Sequence, residues 1–323
     1  MLSQITLPTN IVIVDDDEQF LNALLSALPD DKNYYTVFSD PIQALEYLVK
    51  HNHLSLLDAK NILATYKEKG TWYLDINEVA TEIENPDRFS SISVLIIDYK
   101  MKDINGLEVL KKIKGKNIKK ILLSGVADES IANTAFNEKL IDNYIRKQDI
   151  DFISKLKQLI DLYHKSHFNI ALPFEANEDH FFTDVTYKNI LDDLIEREKI
   201  VEYYQIDSKG SLLLFNSEGV GFIFFITDDE EIEDDIISLK EEKCPKYLID
   251  KLITREKMLL NYHFLNNEKD NFENSFYPLY PLPGQKGLYY SIIKGIEHFA
   301  KKEKAFFYSF RNKLRNIQEE DES

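Results

Sequence analysis

Apolar and polar positions in the first half of the chain follow two alternating periods. Ile11 to Val14 is a short β-branched run with the length of a buried strand. Asp17 to Leu28 follows it, with Phe20, Leu21, Leu24, Leu25 and Leu28 on one stripe at helical spacing. The alternation then repeats. Tyr35 to Phe38 is a second strand, and Asp40 caps a helix starting at Pro41 with Ile42, Leu45, Leu48 and Val49 facing inward. Val94 to Ile97 and Lys120 to Leu123 are further strands, followed by helices around Leu107 to Ile113 and near Asp128 to Glu138. Tyr144 to Arg146 is a short fifth strand, and Phe152, Ile153, Leu156, Leu159, Ile160 and Tyr163 form the stripe of a closing helix. Such alternation predicts an α/β fold, with a doubly wound parallel sheet covered on both faces.

Residues 52–90 interrupt this rhythm. They hold the one tryptophan, Trp72, and helical patches at Leu56–Tyr66 and Asn77–Ile83. Leu63, Tyr66, Trp72, Tyr73 and Leu74 need burial, so the stretch reads as an insertion that packs on the domain. The pattern changes again around Ser166 to Glu178. A helix near Thr186 to Val201 leads into YYQIDSKGSLLLFNSEGVGFIFFIT, in which the turns Asp207–Gly210 and Asn216–Gly219 separate three apolar strands. This predicts an antiparallel meander with glycine where φ must be positive. Acidic residues from Asp228 to Asp235 favour a helix start. Helices near 245–262 and 285–316 flank the loop YPLYPLPG. The reading is a domain at 1–165 with an insertion at about 52–90, then a second, α+β domain at 166–323.

The length of 323 residues fits two domains, and 10 glycines and 9 prolines argue against long flexible linkers. Cys244 is the one cysteine, so no intramolecular disulfide forms, in keeping with a reducing compartment. No apolar run reaches the roughly 18–20 residues of a membrane span. The amino terminus lacks the basic and apolar regions of a secretory signal, so a cytoplasmic location is expected. A net charge of −17 lowers the prior for nucleic-acid binding.

Several polar groups recur at the carboxyl ends of the first-half strands, where ligand sites form in a parallel α/β sheet. Asp15 and Asp16 follow the first strand, Asp98 ends the third, Ser124 ends the fourth and Lys147 follows the fifth. Three crowded carboxylates repel, and a hard cation such as Mg²⁺ relieves this. Asp98 can then act as a carboxylate nucleophile towards a phosphoryl group. An ammonium neutralises the equatorial oxygens, a serine hydroxyl bonds a phosphoryl oxygen, and Gly125 leaves room beside it.

Residues 9 to about 165 resemble the receiver domain of bacterial two-component response regulators, a flavodoxin-like fold. The resemblance rests on VDDD, on Asp98, Met101 and Gly106 in the acceptor segment, and on Ser124, Tyr144 and Lys147. It implies that Asp15, Asp16, Asp98 and the carbonyl of Lys100 hold Mg²⁺. Asp98 is then the phospho-acceptor for a histidine kinase or phosphotransfer protein, Ser124 and Lys147 bind the phosphoryl group, and Tyr144 is the switch aromatic. The family's usual pairing face further implies a homodimer. Lys102 stands where the family usually has proline, Gln148 where proline commonly follows the lysine, and Asn105 replaces an acidic residue.

The second half matches no common output module. Its first reading is a ligand- or partner-binding α+β module built on the meander. A nucleic-acid role rests on Lys286, Lys294, Lys301, Lys302, Lys304, Arg311, Lys313 and Arg315, interleaved with Phe306, Phe307, Tyr308 and Phe310. Such a stripe more often packs as an amphipathic helix. An output enzyme is a third reading, with no site nominated, and the expectation is a switch and not an enzyme. In layout the chain resembles quorum-sensing response regulators of the Lqs type, which implies a kinase responding to a diffusible hydroxyketone.

Overall fold

The computed structural model describes residues 5–28, 33–51, 65–68, 71–74, 83, 85–114, 117–125, 129–168, 184–260, 272–295 and 309–321. The chain forms two compact units, one of residues 6–58 and 87–171, the other of 1–5, 59–86 and 172–323. Residues 59–86, read above as packing on the first half, thus group with the second unit. The strand β1 (Ile5–Thr6) spans the boundary at residue 6 and joins the sheet that contains Ile200–Gln205.

In the first unit, β2 (Asn10–Val14), α1 (Glu18–Ala27), β3 (Tyr34–Phe38) and α2 (Pro41–Lys50) come first. The interrupting stretch contributes a two-stranded hairpin, β4 (Thr65–Glu68) with β5 (Thr71–Leu74). Thr65 and Tyr66 therefore lie in a strand, not a helix; the rest of the two predicted helical patches lies outside the described residues, apart from Ile83. Then follow β6 (Ile92–Asp98), α3 (Gly106–Lys112), β7 (Lys119–Ser124), α4 (Glu129–Asn137), β8 (Asn143–Arg146) and α5 (Phe152–His167). The five strands pair in the order β3-β2-β6-β7-β8, every pair parallel.

Both faces of this sheet are covered. Ile11, Ile13, Val94 and Ile96 pack against Leu21, Leu24, Leu156 and Ile160 of α1 and α5. The alternate positions Val12, Val14, Leu95 and Ile97 pack against Ala44, Leu48, Val109, Leu110 and Ala135 of α2, α3 and α4. Double-sided burial is why the strands read as unbroken apolar runs. Local chemistry sets the helix starts: Asp17 accepts from the N–H of Gln19 and of Phe20, Asp40 from Ile42, and Asn105 from Glu108. Asn105, the departure from the family's acidic residue, therefore performs the capping that an aspartate would.

The opposite end of the sheet carries a buried polar group of a different kind. His164 donates to the carbonyl of Leu7 at 2.7 Å, and His167 Nε2 lies 2.7 Å from Ser91 Oγ. Burial, then the neighbouring His164, pushes His167 down to about 4. Its neutral form belongs to the fold, whereas the unfolded chain takes up a proton near its ordinary value of 6.5. Stability is therefore whole above about pH 6.5 and declines as pH falls towards about 4. We expect a loss of about 2 kcal/mol between about pH 7.5 and pH 5, read from urea midpoints. His167→Gln should flatten that slope; an undiminished slope would assign it elsewhere.

The second unit is built on a six-stranded sheet with the order β1-β9-β10-β11-β15-β14. Helix α6 (Val185–Glu198) precedes β9 (Ile200–Gln205), β10 (Leu212–Asn216) and β11 (Gly221–Asp228), the antiparallel meander read from the sequence. Its two turns share one chemistry. Asp207 Oδ1 accepts from the N–H of Lys209 and of Ser211, with Gly210 at φ 89°. Asn216 Oδ1 accepts from the N–H of Glu218 and of Val220, with Gly219 at φ 83°. One sheet face packs Tyr203, Leu212, Leu214, Phe222 and Phe224 against Tyr187, Leu191 and Leu194 of α6.

Helix α7 (Asp229–Glu241) starts in the acidic run, capped by Asp228 accepting from the N–H of Glu231. The rest of the unit departs from the sequence reading. The stretch 245–262 is not one helix: α8 (Lys246–Ile253) stops, Arg255 adopts φ 58°, and β12 (Lys257–Leu259) pairs with β13 (Phe276–Pro278). The stretch 285–316 is not one helix either. β14 (Tyr280–Pro281) and β15 (Leu288–Lys294) are strands, and β15 pairs with β11 from Leu288↔Asp228 to Lys294↔Phe222. A β-branched and aromatic segment such as LYYSIIK fits a ladder better than a helix once a partner strand lies alongside. Helix α9 (Phe310–Asp321) follows. The one long helix that was to carry the basic stripe is therefore absent over Leu288–Lys294. Lys294 is on a strand, Arg311 pairs with Glu218, and Phe310 is buried. Lys301, Lys302, Lys304, Phe306, Phe307 and Tyr308 lie outside the described residues.

Candidate functional site

The parallel register decides which strand ends become neighbours. Val14 is opposite Ile97, Asp98 opposite Leu123, and Ser124 opposite Arg146. The residues that end or follow these strands (Asp15, Asp98, Ser124 and Lys147) are therefore drawn to one edge. Main-chain bonds carry the order past the strands: Asp15 N–H reaches Phe38 O, Tyr99 N–H reaches Leu123 O, and Lys147 N–H reaches Ser124 O at 2.8 Å.

The side chains converge as the sequence predicts. Asp15, Asp16 and Asp98 each bring one carboxylate oxygen to within 4.8 Å of the others. Lys147 Nζ lies 2.5 Å from Asp15 Oδ2 and 2.9 Å from Asp98 Oδ1. Its ammonium also sits 4.3 Å from the centre of the Phe20 ring, a contact not anticipated from the sequence. Asp98 Oδ2 accepts from Lys100 N–H at 3.0 Å, Asp15 Oδ1 from Asp17 N–H at 3.1 Å, and Asp16 Oδ2 from Lys102 N–H at 3.1 Å. Lys100 thus lies beside the cluster with its amide on Asp98. Asp15 and Asp98 are buried and Asp16 is half-buried.

Ser124 is buried at the end of β7, and a side chain at Gly125 would meet nothing within 4 Å among the described residues. Gly106 is the opposite case. A Cβ there would fall 2.2 Å from the Asp98 carbonyl oxygen, so only glycine lets α3 start against β6. Tyr144 is on β8, half-buried, with its phenol oxygen buried and without a hydrogen bond among the described residues. It lines a cleft of about 480 Å³ with Ala132, Asn133, Arg146 and Asp149.

The electrostatics follow from one ammonium shared by two buried carboxylates. Burial pushes the Asp15 carboxyl up; Lys147 opposes this, and the charge of Asp98 adds to it. Burial disfavours the Lys147 ammonium too, yet its bonds to Asp15 and Asp98 hold it above the usual lysine range. The cation is over-compensated and the carboxylates under-compensated. Three carboxylates against one ammonium leave a formal charge of −2, and among the described residues Asp15 Oδ2 has no hydrogen bond beyond that ion pair. An oxygen-only donor set with this surplus fits a hard divalent cation.

A doubly wound parallel sheet with this acidic edge, an opposing lysine and a serine at the next strand end defines the receiver fold of two-component response regulators. Over its whole length the chain is similar to the Legionella pneumophila response regulator LqsR: 25% identity, a TM-score of 0.69, and 99% of this chain matched to 97% of that one. The likeness therefore extends through the second unit, which the sequence reading had matched on layout alone. About half of the chain (49%) also matches a Francisella response regulator 1452 receiver domain, at 17% identity and a TM-score of 0.33. A receiver domain protein from Clostridium thermocellum is matched over 50% of the chain, at 20% identity and a TM-score of 0.32. No family model and no curated protein sequence matches the chain. No helix among the described residues is long and apolar enough to cross a membrane.

Proposed function

We propose that the chain is the response regulator of a two-component phosphorelay, phosphorylated on Asp98 by a histidine kinase or phosphotransfer protein. The observation that carries this reading is Lys147 Nζ bridging Asp15 and Asp98 beside Asp16. A carboxylate oxygen of Asp98 forms the new bond to phosphorus as the bond to the donor's imidazole nitrogen breaks, and the imidazole leaves with the electron pair. Lys147, already on Asp98 Oδ1, swings its charge onto the phosphoryl oxygens. Ser124 donates its hydroxyl to one of them, and the open side of Gly125 gives them space. Asp15, Asp16, Asp98 and the Lys100 carbonyl would hold Mg²⁺. When bound, that ion supplies the positive charge that offsets the carboxylates and the developing phosphoryl charge.

The phosphoryl charge biases a two-state element through Ser124 and Tyr144. The cleft lined by Tyr144 gives that ring space to move. The altered first unit then controls the second, with a change in self-association as one route. The full-length likeness to the response regulator LqsR supports the response-regulator reading over both units; a place in quorum sensing is what the resemblance in layout implies.

The test is incubation with acetyl phosphate and Mg²⁺, followed by intact mass. Wild type should gain one phosphoryl group and Asp98→Asn none. Equal modification of both proteins would move the acceptor elsewhere, and an unmodified wild type in the presence of a competent kinase as well would end the reading.

A further inference from the structure

Asp16 differs from its two partners in the cluster. Asp15 and Asp98 share Lys147, whereas Asp16 has no ion-pair partner among the described residues. What holds it is a main-chain group: the N–H of Lys102, 86 residues away, donates to Asp16 Oδ2 at 3.1 Å. A proline at position 102 would have no N–H to give. The loop is wound so as to aim this amide. Ile104 N–H returns to Lys102 O at 2.6 Å, Gly106 N–H returns to Tyr99 O at 3.0 Å, and Asp103 takes the left-handed conformation at φ 65°.

We propose that the main-chain amide of Lys102 is a positioning group for Asp16, presetting its carboxylate to ligate a divalent cation. One oxygen anchored by the amide leaves the carboxylate in the cluster with an oxygen free to ligate. Without the anchor, a half-buried aspartate lacking an ion pair turns towards water, and part of the binding free energy goes into recovering the rotamer. The inference rests on the reading of the acidic edge as a cation site.

The experiment is titration of the full chain with Mn²⁺, following free Mn²⁺ by electron paramagnetic resonance. Lys102→Ala loses the side chain and keeps the amide; Lys102→Pro loses both, so the comparison between them isolates the amide. We expect Lys102→Pro to bind Mn²⁺ about tenfold more weakly than Lys102→Ala, the size of one charge-assisted hydrogen bond. In an Asp16→Asn background, Lys102→Pro should weaken binding no further. Equal affinities of the two Lys102 variants, or an undiminished proline effect in the Asp16→Asn background, would overturn the proposal. Wild type taking up no Mn²⁺ would instead remove the cation-site reading and this inference with it. Amide hydrogen exchange gives an answer that does not depend on the proline variant folding. The Lys102 amide should be protected in wild type and exchange faster in Asp16→Ala, and identical exchange in both would also overturn the proposal.

Discussion

Replacing Lys147 with methionine is expected to slow phosphorylation of Asp98 by acetyl phosphate by roughly a hundred- to a thousandfold. Methionine approximates the length of the lysine stem and keeps its packing over Phe20, but it carries no charge. The ammonium contacts both Asp15 and Asp98, so it is placed where charge gathers on the transferring group. Its removal also leaves two buried carboxylates facing each other. Breaking a buried ion pair from one side costs about 3 kcal/mol at full burial; Lys147 keeps 19% exposure, so a smaller loss is expected. Added Mg²⁺ should restore part of the stability and little of the rate, because the ion relieves the repulsion and cannot replace a donor on the far oxygen. A time course of intact mass, with urea midpoints at two Mg²⁺ concentrations, checks both. A rate within threefold of wild type would show that Lys147 is not the charge the reaction uses.

Replacing Gly106 with alanine is expected to destabilise the first unit by about 3 kcal/mol. The new methyl would fall 2.2 Å from the Asp98 carbonyl oxygen and 3.2 Å from its carbonyl carbon. These are backbone atoms in a central strand, paired on both sides, so they have little room to yield. Relief requires moving the start of α3, which carries the loop holding Asp98 and Asp16 through Lys100 and Lys102. Phosphorylation should therefore fall along with stability. Gly125→Ala is the comparator: its methyl meets nothing within 4 Å among the described residues, and its stability should stay within about 0.5 kcal/mol of wild type. Urea midpoints decide this, and a Gly106→Ala loss below about 1 kcal/mol would mean that the loop absorbs the methyl.

The first unit was legible because its signals are local and repeated. Ile11 to Val14 and Val94 to Ile97 are apolar on both faces because helices cover both, and the sequence shows that as unbroken runs. Asp17, Asp40 and Asn105 cap helices through bonds that span two or three residues. The bonds of the turns at Asp207 and Asn216 span two to four residues. The segments 245–262 and 285–316 misled for the opposite reason. Leu288–Lys294 is a strand because Gly221–Asp228 lies beside it, 60 or more residues earlier, and no local pattern reports that partner.

The sequence by itself determined the alternation of strands and helices, the meander, and the order of Asp15, Asp16, Asp98, Ser124 and Lys147 along the chain. Those features depend on side-chain period and on which residue follows which strand. The tertiary structure alone decided that Lys147 bridges two carboxylates over the Phe20 ring, that Asp16 hangs on the amide of Lys102, and that Gly106 touches the backbone of β6. It alone assigned residues 59–86 to the second unit. Each of these joins groups distant in sequence, and only the parallel pairing of strands and the winding of loops brings such groups within the few ångströms over which a hydrogen bond, an ion pair or a steric contact acts.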